Sequence, residues 1–393
     1  MSEWKVLTAE DFCDSVRDGT HDTPKQVECG YKLVTAKHIS NGQIDLSDAY
    51  LISESDYLKI NERSKVERWD VLMSMIGNGL GKSAVVKDNP QYAIKNLALF
   101  KIGDETRAKW LHYYLSSNKG QGFIYNSLQG SGQPFISLSL LRKFPIPVPD
   151  DEKIMRKVVA TLSRYDSLIE NYQKQIKLLE EAAQRLYKEW FVNLHFPGHE
   201  NTKIVDGVPE GWEKKRLSDI ANIIMGQSPK SEFYNTEGDG IPFHQGVGSY
   251  GYRFVVDNVY STSFTRIAEP NSILFSVRAP VGRLNITKNK IVIGRGLASI
   301  NHKMGYQSYL YYLLKEKFFK DNIIGNGAIF ASISKDELYN LVFFIPSDEI
   351  VKRYDAIANK IDKNIQYVDS QIRLLTEARD RLLPKLMSGE IAV

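Results

Sequence analysis

The chain has 393 residues, 42% apolar and 25% charged, with 51 Lys and Arg against 47 Asp and Glu for a net charge of +4. That is too long for one ordinary core and predicts two or three globular domains. No run of roughly 18 apolar residues would cross a membrane, the opening MSEWKVLTAEDFCD lacks the apolar core of a signal peptide, and two cysteines, Cys13 and Cys29, make neither a disulfide framework nor a zinc site, so a cytoplasmic protein is expected.

Residues 1–148 read as a mixed, β-rich domain. The stretch Gln91–Lys101 predicts a strand, and Trp110-Leu111-His112-Tyr113-Tyr114-Leu115 a short amphipathic helix. Gly77-Asn78-Gly79-Leu80-Gly81-Lys82-Ser83 ends like a phosphate-binding loop, but position 76, where such a loop needs its first glycine, is Ile76. A glycine hairpin presenting Asn78 and Lys82 is the better reading. Asn89-Pro90-Gln91-Tyr92 is only a faint match to the Asn-Pro-Pro-Tyr/Phe loop of DNA methyltransferases, since the second proline and any preceding methyl-donor motif are missing.

Residues 149–195 form a first long helix. Pro149-Asp150-Asp151-Glu152 is a helix start, with carboxylates on the positive end of the dipole. From there Met155, Val158, Leu162, Tyr165, Ile169, Tyr172, Ile176, Leu179, Ala183, Leu186 and Trp190 step by three and four alternately, the seam of a coiled coil. Residues 193–211, rich in Pro, Gly and Asn, read as a linker. His195 and His199 have a metal-ligand spacing, but Pro197 lies between them, so they share no uninterrupted helix.

Residues 196–346 hold the linker and a second β-rich domain, with strands expected at Asn271–Arg278 and Ile291–Ile293. Residues 347–393 form a second long helix and tail, opened by Pro346-Ser347-Asp348-Glu349. Its seam is Val351, Tyr354, Ala358, Ile361, Ile365, Val368, Ile372, Leu375, Arg379, Leu382 and Leu386, with Arg379 the one polar intruder. Pro384 interrupts this helix or starts an extra turn, and Gly389 caps it. The helices are expected to pair with each other through Met155, Leu162, Ile169, Ile176, Leu179 and Leu186 on one and Val351, Ile365, Ile372, Leu375 and Leu382 on the other. At ~1.5 Å per residue, a helix of about 36 residues spans roughly 54 Å, the length of a spacer.

The two halves are copies. A slide of 196 residues lays Ile154 on Ile350, Ala160 on Ala356, Asp166 on Asp362 and Gln175-Ile176 on Gln371-Ile372. Offsets of 197 to 203 match Asp70-Val71-Leu72-Met73-Ser74 to Ser272-Ile273-Leu274-Phe275-Ser276 and Trp110–Leu115 to Tyr309–Leu314. The fold class expected is α+β: two mixed β-rich domains joined by two long helices that pair as a coiled coil, a pseudo-two-fold tandem repeat. Such a protein suits a partner with two related half-sites. Residues 253–303 carry Arg253, Arg266, Arg278, Arg283, Lys288, Lys290, Arg295 and Lys303 against only Asp257 and Glu269, an electrostatic footprint for phosphates. No acid–base, metal or nucleophile constellation stands out, which points to binding and not catalysis.

This organisation resembles the specificity subunit of type I restriction-modification enzymes. The resemblance is carried by Ile273-Leu274-Phe275-Ser276-Val277-Arg278-Ala279-Pro280-Val281-Gly282-Arg283-Leu284 and Gly294-Arg295-Gly296-Leu297-Ala298. Asp18-Gly19-Thr20-His21-Asp22-Thr23-Pro24, Pro209-Glu210-Gly211-Trp212 and the closing Leu382-Leu383-Pro384-Lys385-Leu386-Met387-Ser388-Gly389-Glu390-Ile391 carry it further. Trp4 lacks the Pro-Glu-Gly lead-in of Trp212. The resemblance implies two target recognition domains, each reading one half of a split double-stranded DNA sequence, with the two helices packed antiparallel as a coiled coil and fixing the gap. It implies a non-catalytic chain. Two modification subunits would dock on it and bring S-adenosylmethionine, and restriction subunits would bring ATP, Mg, translocation and cleavage. Specificity subunits of other multi-subunit restriction or methylation systems are the neighbouring alternative. A protein-only coiled-coil scaffold would not cluster cations on its domains.

Readout needs Arg, Asn and Gln at base edges and cations at phosphates. The candidates in the first domain are Lys37, His38, Asn41, Asn78, Lys82, Gln129, Ser131 and Gln133. In the second they are Gln227, His244, Gln245, Ser249, Tyr250, Tyr252, Arg253, Arg278, Arg283, Arg295 and Asn326.

Overall fold

The structure, a computed structural model, describes residues 4–40, 42–130, 134–318 and 332–391, with Asn78 described by its backbone alone. The chain folds as two compact units: residues 1–171 with 371–393, and residues 172–370. The long helices Glu152–Phe191 and Asp348–Met387 each give one half to each unit.

In unit 1 a four-stranded antiparallel sheet has the order Ser15–Asp18, Leu97–Lys101, Val71–Ser74, Ser83–Val85. A second sheet sets Tyr31–Val34 antiparallel to Leu51–Ile52 and parallel to Tyr92–Ile94. Trp4–Thr8 pairs with Pro145–Pro149, the segment that leads into the first long helix. Val71–Ser74 is buried at every position, which is why it reads as an unbroken apolar run. Trp110, on the helix Glu105–Ser116, is fully buried and donates from Nε1 to the Pro147 carbonyl at 3.0 Å.

Unit 2 repeats this plan. Ala221–Met225, Leu297–His302, Ile273–Ser276 and Leu284–Ile286 form its four-stranded sheet in the same order. Ile241–His244 runs parallel to Ile291–Ile293, and Glu213–Arg216 pairs with Val342–Ile345. The register matches too: Lys5 faces Val148 as Glu213 faces Ile345, so Trp4 and Trp212 occupy equivalent places despite their different lead-ins.

Within unit 1 the long-helix halves pack antiparallel. Met155, Val158 and Leu162 share a core with Leu383, Leu386 and Met387, and further along Arg379 reaches Asp166 at 2.8 Å. Within unit 2 the Tyr354 hydroxyl donates to the Ala183 carbonyl at 3.1 Å, and the Tyr187 ring meets Tyr354 edge-on. Ile169, Ile176, Val351 and Ile365 are buried. Beyond Ile176 Ala183 stays buried, but Glu180 and Tyr187 take the buried places of Leu179 and Leu186, one residue along, leaving those leucines half-buried; Ile372, Leu375 and Leu382 are half-buried likewise. A 3.6-residue helix drifts off a 3.5-residue pattern by this sense of shift.

Three local expectations change. Gln91–Lys101 is two strands, because Asn96 turns the chain at φ 54°. Pro384 does not stop the second helix, which runs to Met387; Gly389, at φ +74° and close against the Trp4 ring, follows its end. The linker contains a small hairpin, Ile204–Val205 with Val208–Pro209, turned by Asp206-Gly207 with both φ angles positive.

His112 yields a pH prediction. Its Nδ1 lies 2.9 Å from Ser83 Oγ, and burial lowers its pKa to about 4. Unfolded, it titrates near ~6.5. Between those values the unfolded chain binds a proton that the folded chain does not, so stability falls as pH drops from about 6.5 towards 4. The urea midpoint measured at pH 7 and pH 5 should fall less in His112→Asn than in the parent.

Candidate nucleic-acid interface

Strand order brings three loops of each unit to one end of the four-stranded sheet. Leu97 begins the strand that lies between the ends of Ser15–Asp18 and Val71–Ser74, so the chain after Asp18, before Leu97 and after Ser74 emerges on one edge. In unit 1 these loops are Gly19–Thr23, Lys95-Asn96 and the hairpin 75–82. In unit 2 they are Gly226–Pro229, Gly294-Arg295-Gly296 and the hairpin 277–283.

Equivalent backbone hydrogen bonds hold both sets. Gly19 donates to Leu97 O and Thr20 to Ile94 O; Gly226 donates to Leu297 O and Gln227 to Ile293 O. A Cβ on Gly19 would lie 2.4 Å from Ile94 O and one on Gly226 2.1 Å from Gly294 O, so only glycine fits either crossing. The side chains differ. In unit 1, His21 Nδ1 lies 2.8 Å from Asn96 Oδ1 and its Nε2 3.0 Å from Asp18, which also holds Arg63; Lys95 donates to Thr23. In unit 2, Ser228 Oγ donates to Gln245 Oε1 at 2.7 Å and accepts the Arg295 N–H at 3.2 Å. Gly294 and Gly296 leave room for Gln245.

Gln227, Gln245 and Arg295 are thus brought together, each exposed. Arg278 and Arg283 are exposed on the neighbouring hairpin, which Ser276 holds by accepting the Arg283 N–H at 2.8 Å and donating to Pro280 O at 2.6 Å. In unit 1 the Asn78 backbone lies in a tight turn, Gly77–Gly79, with Lys82 exposed beside it, as the glycine-hairpin reading expected. Gln129 is exposed and backbone-paired with Phe135. Lys37 is exposed and paired with Asp48 at 2.8 Å. Ser249 is half-buried against His244, Tyr250 is half-buried, and Tyr252 is exposed. Asn41, Ser131, Gln133 and Asn326 lie outside the described residues.

Three candidates are corrected. Arg253 is 2% exposed: its guanidinium binds Glu180 at 3.1 Å and Asp362 at 2.6 Å and lies over the Tyr311 ring. Burial opposes its charge, but Tyr311, Asp362, Tyr312 and Glu180 together outweigh burial and its pKa is raised. His244 is buried between Ser249 at 2.7 Å and Asp257 at 3.0 Å. His38 is buried, with Nδ1 accepting the Thr35 N–H at 2.8 Å; burial lowers its pKa. None of the three has a side chain left to reach a base. Lys288 and Lys290 are likewise engaged, with Asp369 and Glu269.

The sequence reading missed Thr20, His21, Lys95 and Asn96. The signal was available: the repeat offset lays Leu97 on Leu297 and Ile94 on Ile293, which places Lys95-Asn96 where Arg295 stands.

The profile of the type I restriction modification DNA specificity domain family matches residues 1–181 and again 209–381. The chain belongs to that family. A Methanocaldococcus jannaschii protein, provisionally named the specificity subunit of the type I restriction enzyme MjaX, is 28% identical over all of this chain and 94% of its own length. The HindI type I specificity subunit of Haemophilus influenzae is 22% identical over the whole of both chains. A crystal structure of a type I restriction-modification S subunit from M. genitalium shares the fold, with a TM-score of 0.54 at 17% identity over 98% of this chain and 96% of that one. Among the described residues no helix is long and apolar enough to cross a membrane.

Arg253 and Arg278 separate structure from recognition. Replacing Arg253 by Met strips the buried Glu180 and the half-buried Asp362 of their guanidinium partner and should cost unit 2 roughly 3–5 kcal/mol. Arg278→Ala, at an exposed loop position, should stay within about 0.5 kcal/mol of the parent. Urea unfolding of both variants checks the contrast.

Proposed function

We propose that this type I specificity subunit reads a two-part DNA target, with the three-loop edge of unit 1 on one half-site and that of unit 2 on the other. The observation that carries the reading is the duplicated edge itself: one backbone frame, held by the same hydrogen bonds at Gly19 and Gly226, carries a different polar set in each copy. Arg278 and Arg295, exposed and without an ion pair among the described residues, hold phosphate or guanine, while Gln227 and Gln245 suit adenine.

The chain itself supplies no chemistry in this reading. Two modification subunits bring S-adenosylmethionine, and restriction subunits bring ATP and Mg. Leu178 and Leu374 support a doubled docking surface: they stand 196 residues apart at matching places on the long helices and are 64% and 50% exposed. A single exposed leucine is ordinary on a protein surface; it is the recurrence of one at the same place on both helices that suits two copies of one partner. The expected outcome is DNA adenine methylation only after a modification subunit is added. Methyl transfer by the rigorously pure single chain would contradict this.

Arg295→Ala tests the DNA edge. If Arg295 holds a phosphate, the log–log dependence of binding on salt should become shallower by about one. If it reads guanine, one target position should relax, with a loss of ~1–3 kcal/mol. Binding indistinguishable from the parent would remove this loop from the interface.

The long helices set the gap between half-sites. Inserting four residues between Gln173 and Lys174 adds ~6 Å and nearly restores the turn phase of the seam. Methylome sequencing should return both half-sites unchanged and the gap longer by about one or two base pairs. A folded variant that methylates at the original gap would show that the helices are not the ruler.

A further inference from the structure

Unit 2 contains a cavity of about 360 Å³ bounded by the strand Leu284–Ile286, the loop 247–252 and the helix residues Glu180 and Lys315. Two residues that line it, Asn285 and Tyr250, carry buried polar atoms, Asn285 Oδ1 and Tyr250 Oη, with no hydrogen-bond partner among the described residues. Asn285 is 1% exposed, and its orientation is fixed because Nδ2 donates to Gly251 O at 3.0 Å. The atom left over is therefore an acceptor.

The fold does not require that amide. Asn285 faces Leu274 across the sheet, and the matching pair in unit 1 is Ala84 with Leu72. Ala84 is fully buried in an apolar cluster with Ile94 and Leu99. One copy closes this position with a methyl group; the other keeps a buried amide whose oxygen is unpaired, which is costly unless something binds it.

The remaining lining specifies the ligand. Tyr311 lies beneath the cavity, with the Arg253 guanidinium 3.5 Å from its ring centre. Tyr252, 68% exposed, and Arg283, on the same hairpin as Arg278, stand at the mouth. An aromatic face and a cation outside, with an acceptor and a hydroxyl inside, suit a planar ring that carries an N–H edge and a phosphate.

The geometry points to a nucleobase pocket in unit 2, in which one unstacked base of the bound DNA stacks on Tyr252 and is held at its N–H edge by Asn285 Oδ1 and Tyr250 Oη. A free nucleotide shares this chemistry. The hairpin Arg283 joins the pocket to the proposed DNA edge and favours a base from the duplex. The inference rests on the DNA reading above.

The test uses the full chain with its modification subunits and target duplexes carrying 2-aminopurine at successive positions in and beside the half-site read by unit 2. Unstacking should raise the fluorescence at one position, and Tyr252→Ala and Tyr250→Phe should each abolish that rise. Tyr252→Ala should also weaken binding about tenfold, roughly 1.4 kcal/mol, and an abasic site at that position should erase the difference between variant and parent. A rise that survives in both variants belongs to the modification subunits and overturns the pocket. Absence of any rise while sequence-specific binding is intact overturns the pocket and leaves the DNA reading standing. Binding of 2-aminopurine nucleotide alone, with no rise in the duplex, overturns the DNA base as its occupant. Loss of specific binding in the parent itself would overturn both readings.

Discussion

An aspartate on each long helix, taken at the same place in the repeat, ties helix to domain. Asp166 accepts the Tyr113 phenol at 2.5 Å and the Arg379 guanidinium at 2.8 Å. Asp362 accepts the Tyr312 phenol at 3.0 Å and the Arg253 guanidinium at 2.6 Å. The tyrosines are equivalent, each from the short helix behind its four-stranded sheet. The arginines are not: Arg379 comes from the other long helix, whereas Arg253 comes from the domain. Charges taken out of water are worth their desolvation only when geometry and further hydrogen bonds compensate. Each node therefore fixes one register between helix and domain, and a displacement would strand a half-buried or buried charge.

That constraint allows the loop edges to diverge. Strand pairing, the close crossings at Gly19 and Gly226, and the aspartate nodes are shared between the units, so the frame is specified twice by the same physics. What varies stands on the frame: Thr20-His21 against Gln227-Ser228, Lys95-Asn96 against Gly294-Arg295-Gly296, Ala84 against Asn285. A rigid scaffold with exchangeable loops is the arrangement in which recognition can change without refolding the protein.

The repeat and the long helices were legible in the sequence because apolar periodicity is a local signal and the Gln175–Leu186 and Gln371–Leu382 stretches retain it. Arg379, a polar residue breaking that period, was visible but unexplained until Asp166 was found opposite it. Burial of charge was not legible. Arg253 belongs to the most basic segment, yet its partners Glu180 and Asp362 lie 73 and 109 residues away, and no local pattern reports such pairings. His38 and His244 were misplaced for a related reason: their partners Thr35, Ser249 and Asp257 are local, but nothing local reports that the rings themselves are buried. The unit 1 candidates His21, Lys95 and Asn96 were overlooked because their loops look unlike those of unit 2; the offset of the flanking strands and the shared backbone hydrogen bonds equate them.

The central claim is that equivalent loops of the two units read different halves of one target. Long-read methylome sequencing of cells carrying the chain with its modification subunit, as parent, Lys95→Ala and Arg295→Ala, tests it most directly. The account predicts that Lys95→Ala alters recognition in one half-site alone and Arg295→Ala in the other alone. Changes from both variants falling in the same half-site, or in neither, would contradict it.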